Sequence, residues 1–274
     1  MLKKLLKNKL TIMGLIIIGT LLGTALLAPV IAPYPPNRIN LAHRLTKPNR
    51  QHILGRDNLG RDILSRIIYG SRISIYVGFV TIGVSAILGF FFGAIAGFYG
   101  GWVDELIMRI VDILLAFPGI LLAIALMAIL GPSLNNVILT LCLIGWVGYA
   151  RLVRGQILFL RETEFILAAK ALGIGSFRII FCHLLPNILG PLIVQATFGV
   201  AGSIVAEAGL SFLGLGVQSP TPSWGAMLNE GRSVLLKAPH LTTFPGLAIM
   251  LVVLGFNFVG DGLRDAVDPK LKIF

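Results

Sequence analysis

The feature that most constrains this chain is a series of long apolar segments with short polar stretches between them. The first runs from Leu10 to about Ala32, and five more follow: Ile73–Tyr99, Met108–Leu130, Asn136–Tyr149, Ile188–Glu207 and Leu241–Val259. About 20 apolar residues cross the hydrocarbon core of a bilayer as a helix. The fourth segment is short, and we expect it to continue into the next residues. The sequence therefore predicts an all-α integral membrane protein with about six transmembrane helices.

The composition agrees with a membrane protein. The chain has 274 residues, of which 13% are charged and 56% hydrophobic, whereas a soluble domain carries about 25% charged residues. The net charge of +11 would suggest nucleic acid in a soluble protein, but in a membrane protein basic loops set topology. We therefore expect the lipid bilayer, and no nucleic acid, as a partner.

Cysteine and histidine usage predicts neither a disulfide framework nor a metal site. Cys142 and Cys182 are the two cysteines, and they form no CxxC pair. The four histidines never pair at the three- or four-residue spacing that helical metal ligands favour. We expect no metal bound by this chain alone.

The distribution of Lys and Arg predicts the topology. The first apolar run exceeds the 7–15 residues of a signal-peptide core, so it is interpreted as an uncleaved helix with its basic end in the cytoplasm. Six spans then put both termini in the cytoplasm. The inside segments carry 13 Lys and Arg and the outside segments 10, of which 8 lie in residues 33–72. We expect residues 1–72 to form a transmembrane helix plus a long external loop, and residues 73–274 a five-helix core.

A polar stretch at residues 161–186, called the hairpin below, interrupts the apolar pattern. Ala168 and Ala169 are strong helix formers, and Gly173 stands where a helix C-cap is expected. Ser176 is predicted to cap a second short helix, and Pro186 to begin the fifth span. This predicts two short helices with a turn between them at the cytoplasmic face. An ordinary interfacial loop remains the alternative.

The hairpin resembles the EAA loop of ABC importer permeases. The segments "LAAKALG" (167–173) and "HLLP" (183–186) match that motif at Ala168, Ala169, Gly173, Leu185 and Pro186. Leu167 stands where a Glu is usual, and His183 where an Ile is usual. Glu164, three residues earlier, is hypothesised to compensate for the missing Glu.

Four further segments carry the resemblance over nearly the whole chain. They are similar to the dipeptide, oligopeptide and nickel permeases, and they cover residues 52–74, 112–124, 206–228 and 260–271. The chain resembles the shorter of the two permease subunits in that family.

The resemblance implies a type I ABC importer permease in the cytoplasmic (inner) membrane of a bacterium or archaeon. It implies a second, homologous permease subunit, two cytoplasmic ATPase subunits that bind ATP and Mg, and an extracytoplasmic substrate-binding protein. The chain itself would hold no cofactor and would not be an enzyme. The ATPase-coupling residues that it implies are Ala168, Ala169, Gly173, Leu185 and Pro186, and Glu164 is added to them by the compensation hypothesis.

Two features of the sequence indicate that a partner protein supplies the energy for transport. The sequence contains no GxxxxGK[ST] loop, so nucleotide binding by that route is not expected. Few ionisable groups lie within the spans, whereas ion-coupled carriers usually need them. Asp112, Pro118 and Glu207 are candidates for a pathway or gate, Pro118 as a kink in the third span. A local structural role is the alternative for each.

Two further patterns predict contacts. Gly89, Gly93 and Gly97 form a small-residue stripe, which predicts close helix packing within the chain or against the second permease. Residues Arg56, Asp57, Arg61, Asp62 and Trp224 are candidates for docking the binding protein. The alternative places these charges as pairs at the lipid headgroups and Trp224 at the membrane interface.

The sequence thus favours a peptide importer subunit. Nickel or a nickel chelate is the first alternative substrate. A self-sufficient ion-coupled carrier and a membrane scaffold without transport are the alternatives of other classes.

Overall fold

The computed structural model describes residues 8–267, and within that range the chain is helical with no β-strand. The basic start of the chain and the end of the 260–271 motif lie outside the described residues. The helices are α1 (Lys9–Leu26), α2 (Ala28–Ile31), α3 (Ile63–Tyr99), α4 (Gly101–Leu115), α5 (Gly119–Leu130), α6 (Leu134–Leu160), α7 (Glu164–Ala171), α8 (Ser176–Arg178), α9 (Leu185–Phe212), α10 (Trp224–Arg232) and α11 (His240–Val267). A π-helical segment, Ile179–Leu184, joins α8 to α9.

The number of spans agrees with the prediction. Five helical stretches are long and apolar enough to cross a membrane: α1, α3, α6, α11 and the continuous run Ser176–Phe212. The pair formed by α4 and α5 gives a sixth if it is counted as one bent span. The prediction of an all-α fold with about six transmembrane helices is confirmed.

The second span begins ten residues earlier than predicted, at Ile63 rather than Ile73. The side chain of Asp62 caps this helix, because its Oδ2 accepts a hydrogen bond from the Ser65 amide at 2.8 Å. Arg66, which looks too polar for a span, is buried and paired within the protein. The predicted boundary at residues 72 and 73 therefore falls inside one helix.

The third span is bent sharply. Helices α4 and α5 meet at 87°, with the break just before Gly119. Pro118 disfavours a helical conformation at the residue before it and stands at the N-cap position of α5. The kink that the sequence predicts at Pro118 is confirmed, and it is large enough to direct α5 away from the line of α4.

The glycine stripe of α3 packs against α6. A Cβ placed on Gly89 would come closer than 3.0 Å to Tyr149, and one on Gly93 would do the same to Ala150. A Cβ on Gly97 would lie 3.1 Å from the Arg154 carbonyl oxygen. The sequence left open which surface the stripe contacts, and the structure places that contact inside the chain.

The two largest buried apolar clusters each join several helices. One joins α3, α9, α10 and α11 through Ile63, Ile204, Trp224 and Leu241. The other ties the hairpin to α3 and α6. Helix α1 packs on α11, where Gly14 lies against Gly255.

Candidate functional site

The first half of the hairpin ends as the sequence predicts. Gly173 has φ +73°, a conformation that costs an L side chain but not glycine. Its amide donates to the Lys170 carbonyl at 2.9 Å, and the Ile174 amide donates to the Ala169 carbonyl at 3.1 Å. These two bonds form a Schellman motif, so Gly173 produces the sharp exit from α7.

The second half of the hairpin differs from the prediction. Ser176 does not cap a separate helix, because Gly175 is the N-cap residue and no side chain bonds to that helix end. Helix α8 continues through the π-helical segment into α9. Pro186 therefore lies inside a helix that began at Ser176. The Leu185 amide donates five residues back to Ile180, which fits a widened turn next to a proline that has no amide hydrogen.

The inward face of the hairpin is bound firmly to the spans. Ile166 and Ala169 of α7 and Ile179 of the π-helical segment are buried together with Val153 and Ile157 of α6. Movement of this face would therefore be passed to α6 and α9.

The outward face of the hairpin carries large apolar side chains. Leu172 is 80% exposed and Phe177 is 74% exposed, and Glu164, Leu167 and Ala168 are also exposed. The same hairpin carries the charged residues Arg161, Glu162, Lys170 and Arg178, which is unusual for a lipid-facing surface. An apolar patch rimmed by polar residues is typical of a protein contact site. Leu185 is half-buried and Pro186 exposed.

A second group of polar residues, called the ion cluster below, consists of Asp57, Arg61, Arg66 and Glu230. Arg61 Nε donates to Asp57 Oδ2 and Arg61 Nη2 donates to Glu230 Oε2, each at 2.6 Å. Arg66 Nη2 lies 3.3 Å from the same Glu230 oxygen. Both arginines are buried. The ion cluster thus fastens the 33–62 loop to α10.

The neighbouring charges are also internal. Asp62 Oδ1 lies 2.7 Å from His52 Nδ1, and Arg56 bonds to the other ring nitrogen of His52. Arg56 is half-buried and Asp62 is buried. The expectation that these pairs lie at lipid headgroups is wrong for Asp57, Arg61 and Asp62, because the fold encloses them. Their role in docking stays a prediction.

Trp224 is buried rather than interfacial. Its Nε1 donates to the Ile67 carbonyl at 3.0 Å, and its ring lies against Gly70 of α3. The tryptophan therefore packs α10 onto α3, and the expectation that it anchors the protein at the membrane surface is wrong.

The three pathway candidates occupy different surroundings. Asp112 is exposed and accepts a hydrogen bond from Arg151 Nη2 at 2.7 Å. Pro118 stands at the bend between α4 and α5. Glu207 is fully buried and accepts from Ser211 Oγ at 2.6 Å, and that hydroxyl in turn accepts from the Val217 amide at 3.1 Å. Glu207 thus supports the turn that follows α9.

Sequence reasoning missed two features. Glu230 and Arg66 complete the ion cluster, yet Glu230 is 169 residues from Arg61 and no local pattern links them. A cavity of about 320 Å³ lies between α3, α5, α6 and α9. Its sequence signals are Gln195 and Ser203, two polar residues in a mostly apolar run. Within residues 8–267, no three His, Cys, Asp or Glu side chains are grouped so that they could hold a metal ion.

The chain matches known proteins over nearly its full length. Residues 89–273 match the family described as binding-protein-dependent transport system inner membrane component, and residues 1–48 match the N-terminal TM domain of oligopeptide transport permease C. The dipeptide transport system permease protein DppC of Alkalihalophilus pseudofirmus is 52% identical over 98% of this chain and 89% of its own length. The glutathione transport system permease protein GsiD of Pectobacterium atrosepticum is 44% identical over 98% and 90%.

A solved structure agrees with the fold. The MetNI methionine ABC transporter, in an inward-facing conformation, aligns with a TM-score of 0.63 at 20% identity, over 75% of this chain and 98% of the other. That likeness supports the fold alone. The multi-pass helical architecture agrees with the family match over residues 89–273 and with the relatives that align over nearly the full length. This chain therefore belongs to the binding-protein-dependent inner membrane components, as a permease of the dipeptide and oligopeptide family of ABC importers.

Proposed function

We propose that this chain carries di- and oligopeptides across the cytoplasmic membrane as one permease subunit of an ATP-driven importer. Its partners are a second, homologous permease subunit, two cytoplasmic ATPase subunits that bind ATP and Mg, and an extracytoplasmic substrate-binding protein. The names of the relatives support a peptide substrate, because dipeptide permeases are 52% and 44% identical to this chain and a glutathione permease is 44% identical.

The observation that carries this proposal is the two-faced hairpin. Its inward face packs on α6 and α9, and its outward face offers Leu172 and Phe177 to a partner. We assign the outward face, with Glu164 and Ala168, to the contact with an ATPase. Ala169 serves as the inward anchor, and Gly173 sets the angle between the two halves. Leu185 and Pro186 lie where the hairpin joins α9. A rigid hairpin of this kind would pass ATPase closure to the spans as a rigid-body movement.

The proposed orientation puts the hairpin and both termini in the cytoplasm and the ion cluster outside. The count of Lys and Arg supports it once residues 33–72, the 33–62 loop and the start of α3, are set aside. In that loop the buried charges, including Asp57 and Arg61, hold the chain in shape. Exposed cations remain at Arg38, Arg44, Lys47 and Arg50. We assign binding-protein docking to this exposed side of the loop, with Arg56 at its edge.

The bend at Pro118 is the proposed moving element of the pathway. Asp112 and Arg151 join α4 to α6 beside it through an exposed pair, which is inexpensive to open. Glu207, buried at the far end of α9, holds the turn after that helix in place.

Peptide uptake in cells tests the coupling role. The experiment compares a strain that lacks the gene with strains that carry the wild type, Leu172→Asp or Leu236→Asp. Leu172→Asp puts a charge on the apolar partner face and should abolish ATP-dependent uptake while the protein still inserts. Leu236 is 99% exposed in the segment between α10 and α11, far from the hairpin in the sequence, so the same substitution there is the matched control and should leave uptake intact.

Parallel arms separate the alternatives. Uptake that survives ATP depletion while the ion gradient holds would indicate a secondary carrier. If deletion of the gene lowered nickel uptake alone, the proposed architecture would still hold, and the substrate would be nickel rather than a peptide. No change in any uptake after deletion would favour a scaffold. Normal uptake by Leu172→Asp would show that the hairpin has no role in coupling.

A further inference from the structure

The cavity between α3, α5, α6 and α9 lies at the middle of the long helices rather than at their ends. Its wall includes Thr81 and Ile82 of α3, Leu141 of α6 and Ser203 of α9. Its volume of about 320 Å³ is at the lower end of the range for small-molecule sites, about 300–1,000 Å³. A small ligand, or a short segment of a longer one, would fit in this volume.

The wall of the cavity carries a buried hydroxyl that has no hydrogen-bond partner among the described residues. Thr81 is 2% exposed, and its Oγ1 has no hydrogen-bond partner among the described residues. Ser203 is also buried, and Gln195, an exposed residue, lines the same wall. Polar groups at this depth are costly in contact with lipid. The cavity therefore fits water or a polar ligand better than acyl chains.

The bent span adds donors to the same wall. Helix α5 begins at the cavity, where Gly119 and Ile120 of its first turn and Ala123 of its second line the surface. The first amides of a helix have no partner within that helix, and this end of the helix carries partial positive charge. None of the residues that line the cavity carries a charged side chain. The site thus offers hydrogen-bond donors, but it has no charged group that would select a substrate by the charge of the substrate's side chains.

We propose that this cavity is a subsite of the translocation pathway that holds the main chain of a short peptide. Carbonyl and carboxylate oxygens of the peptide accept hydrogen bonds from the first turn of α5 and from Thr81. The Gln195 amide and the Ser203 hydroxyl can pair with either its N–H or its C=O groups. Because these uncharged groups contact the main chain, which all peptides share, the subsite would accept peptides of varied sequence. This inference rests on the proposed function, because it needs a peptide as the transported substrate.

Glycines keep the cavity open, and one of them gives a direct test. A Cβ on Gly202 of α9 would meet no atom within 4 Å, and Gly202 lines the cavity, so Gly202→Leu adds bulk to the cavity wall without a clash at Cβ. Gly83 of α3 also has no atom within 4 Å of a Cβ, and it does not line the cavity. Gly83→Leu therefore carries the same change in side chain and in helix propensity outside the proposed subsite.

The experiment measures uptake of a labelled dipeptide and a labelled tetrapeptide by cells that carry the complete transporter. The cell lines carry the wild type, Gly202→Leu, Gly83→Leu or Thr81→Val. Gly202→Leu should lower tetrapeptide uptake by about tenfold or more relative to Gly83→Leu, with a smaller loss for the dipeptide. Thr81→Val keeps the shape and removes one hydrogen bond, so it should lower uptake of both by roughly 2- to 10-fold.

The outcomes separate this inference from the proposed function. If the wild type takes up neither peptide, the proposed function fails. If the wild type transports both, and neither Gly202→Leu nor Thr81→Val differs from Gly83→Leu, the subsite is overturned. Co-purification with the second permease is measured for each variant. Loss of that complex in Gly202→Leu alone would assign this face to the subunit interface and also overturn the inference.

Discussion

Glu230 is the residue on which the ion cluster depends, because it is the carboxylate that Arg61 and Arg66 share. Glu230→Ala would leave Asp57 as the one carboxylate that pairs with the two buried arginines. Removing one partner of a buried pair costs roughly 3–5 kcal/mol. The Glu230 side chain is 23% exposed, so we expect a smaller loss of about 2 kcal/mol. Thermal unfolding of the detergent-solubilised protein should show a Tm lower by about 5 °C.

The matched control for that prediction is Glu105→Ala. Glu105 and Arg109 form a pair at 4.0 Å in which both side chains are more than 70% exposed. Exposed pairs of this kind add little to stability, so Glu105→Ala should leave Tm unchanged. Equal shifts for the two variants would mean that the ion cluster does not stabilise the fold.

At the scale of elements, the contact between α3 and α6 depends on glycine. Gly93→Val should destabilise the protein, because even a Cβ there would come closer than 3.0 Å to Ala150 of α6. Overpacking costs about 1–3 kcal/mol or more when backbone has to move. The measurement is the yield of monodisperse protein together with its Tm. Gly83→Val on the same helix meets open space and should behave as the wild type. A stable Gly93→Val would show that the two helices can separate freely.

The turn in the hairpin supports a second prediction at this scale. Gly173→Ala places a Cβ in the left-handed conformation, which costs roughly 1–2 kcal/mol. Nothing lies within 4 Å of that Cβ, so the effect is conformational strain and not a clash. We expect weaker ATP-dependent uptake at normal levels of inserted protein. Gly175→Ala, at a residue with φ −63° that Ala adopts without strain, should lower uptake much less. Equal uptake by both variants would argue against a need for the left-handed turn.

At the scale of the whole molecule, the orientation in the membrane is open to a labelling test. Cys182 in the hairpin is exposed, whereas Cys142 is buried in α6. A membrane-impermeant maleimide should label Cys182 only after the cells are permeabilised. Leu236→Cys, made together with Cys182→Ala, should be labelled in intact cells. The reverse pattern would invert the proposed topology and place the hairpin outside.

The parts of the structure that sequence reasoning anticipated are local ones. The apolar lengths of the spans, the bend at Pro118 and the Gly173 turn each depend on a few neighbouring residues. The start of α3 could not be predicted in this way. Arg66 and the residues around it look too polar for a membrane helix, and a carboxylate on a distant helix is what makes them tolerable.

By itself, the sequence determined that this chain spans a membrane as helices, where most of them run, and that a turn interrupts the polar hairpin. It also determined the family, because the motifs are contiguous strings of residues. Tertiary structure alone decided that the glycine stripe contacts α6, that Arg61 meets Glu230, and that Thr81, Gln195 and Gly119 surround one cavity. The physical reason is that helix formation and capping depend on nearby residues. Contacts between helices depend on how every span is placed.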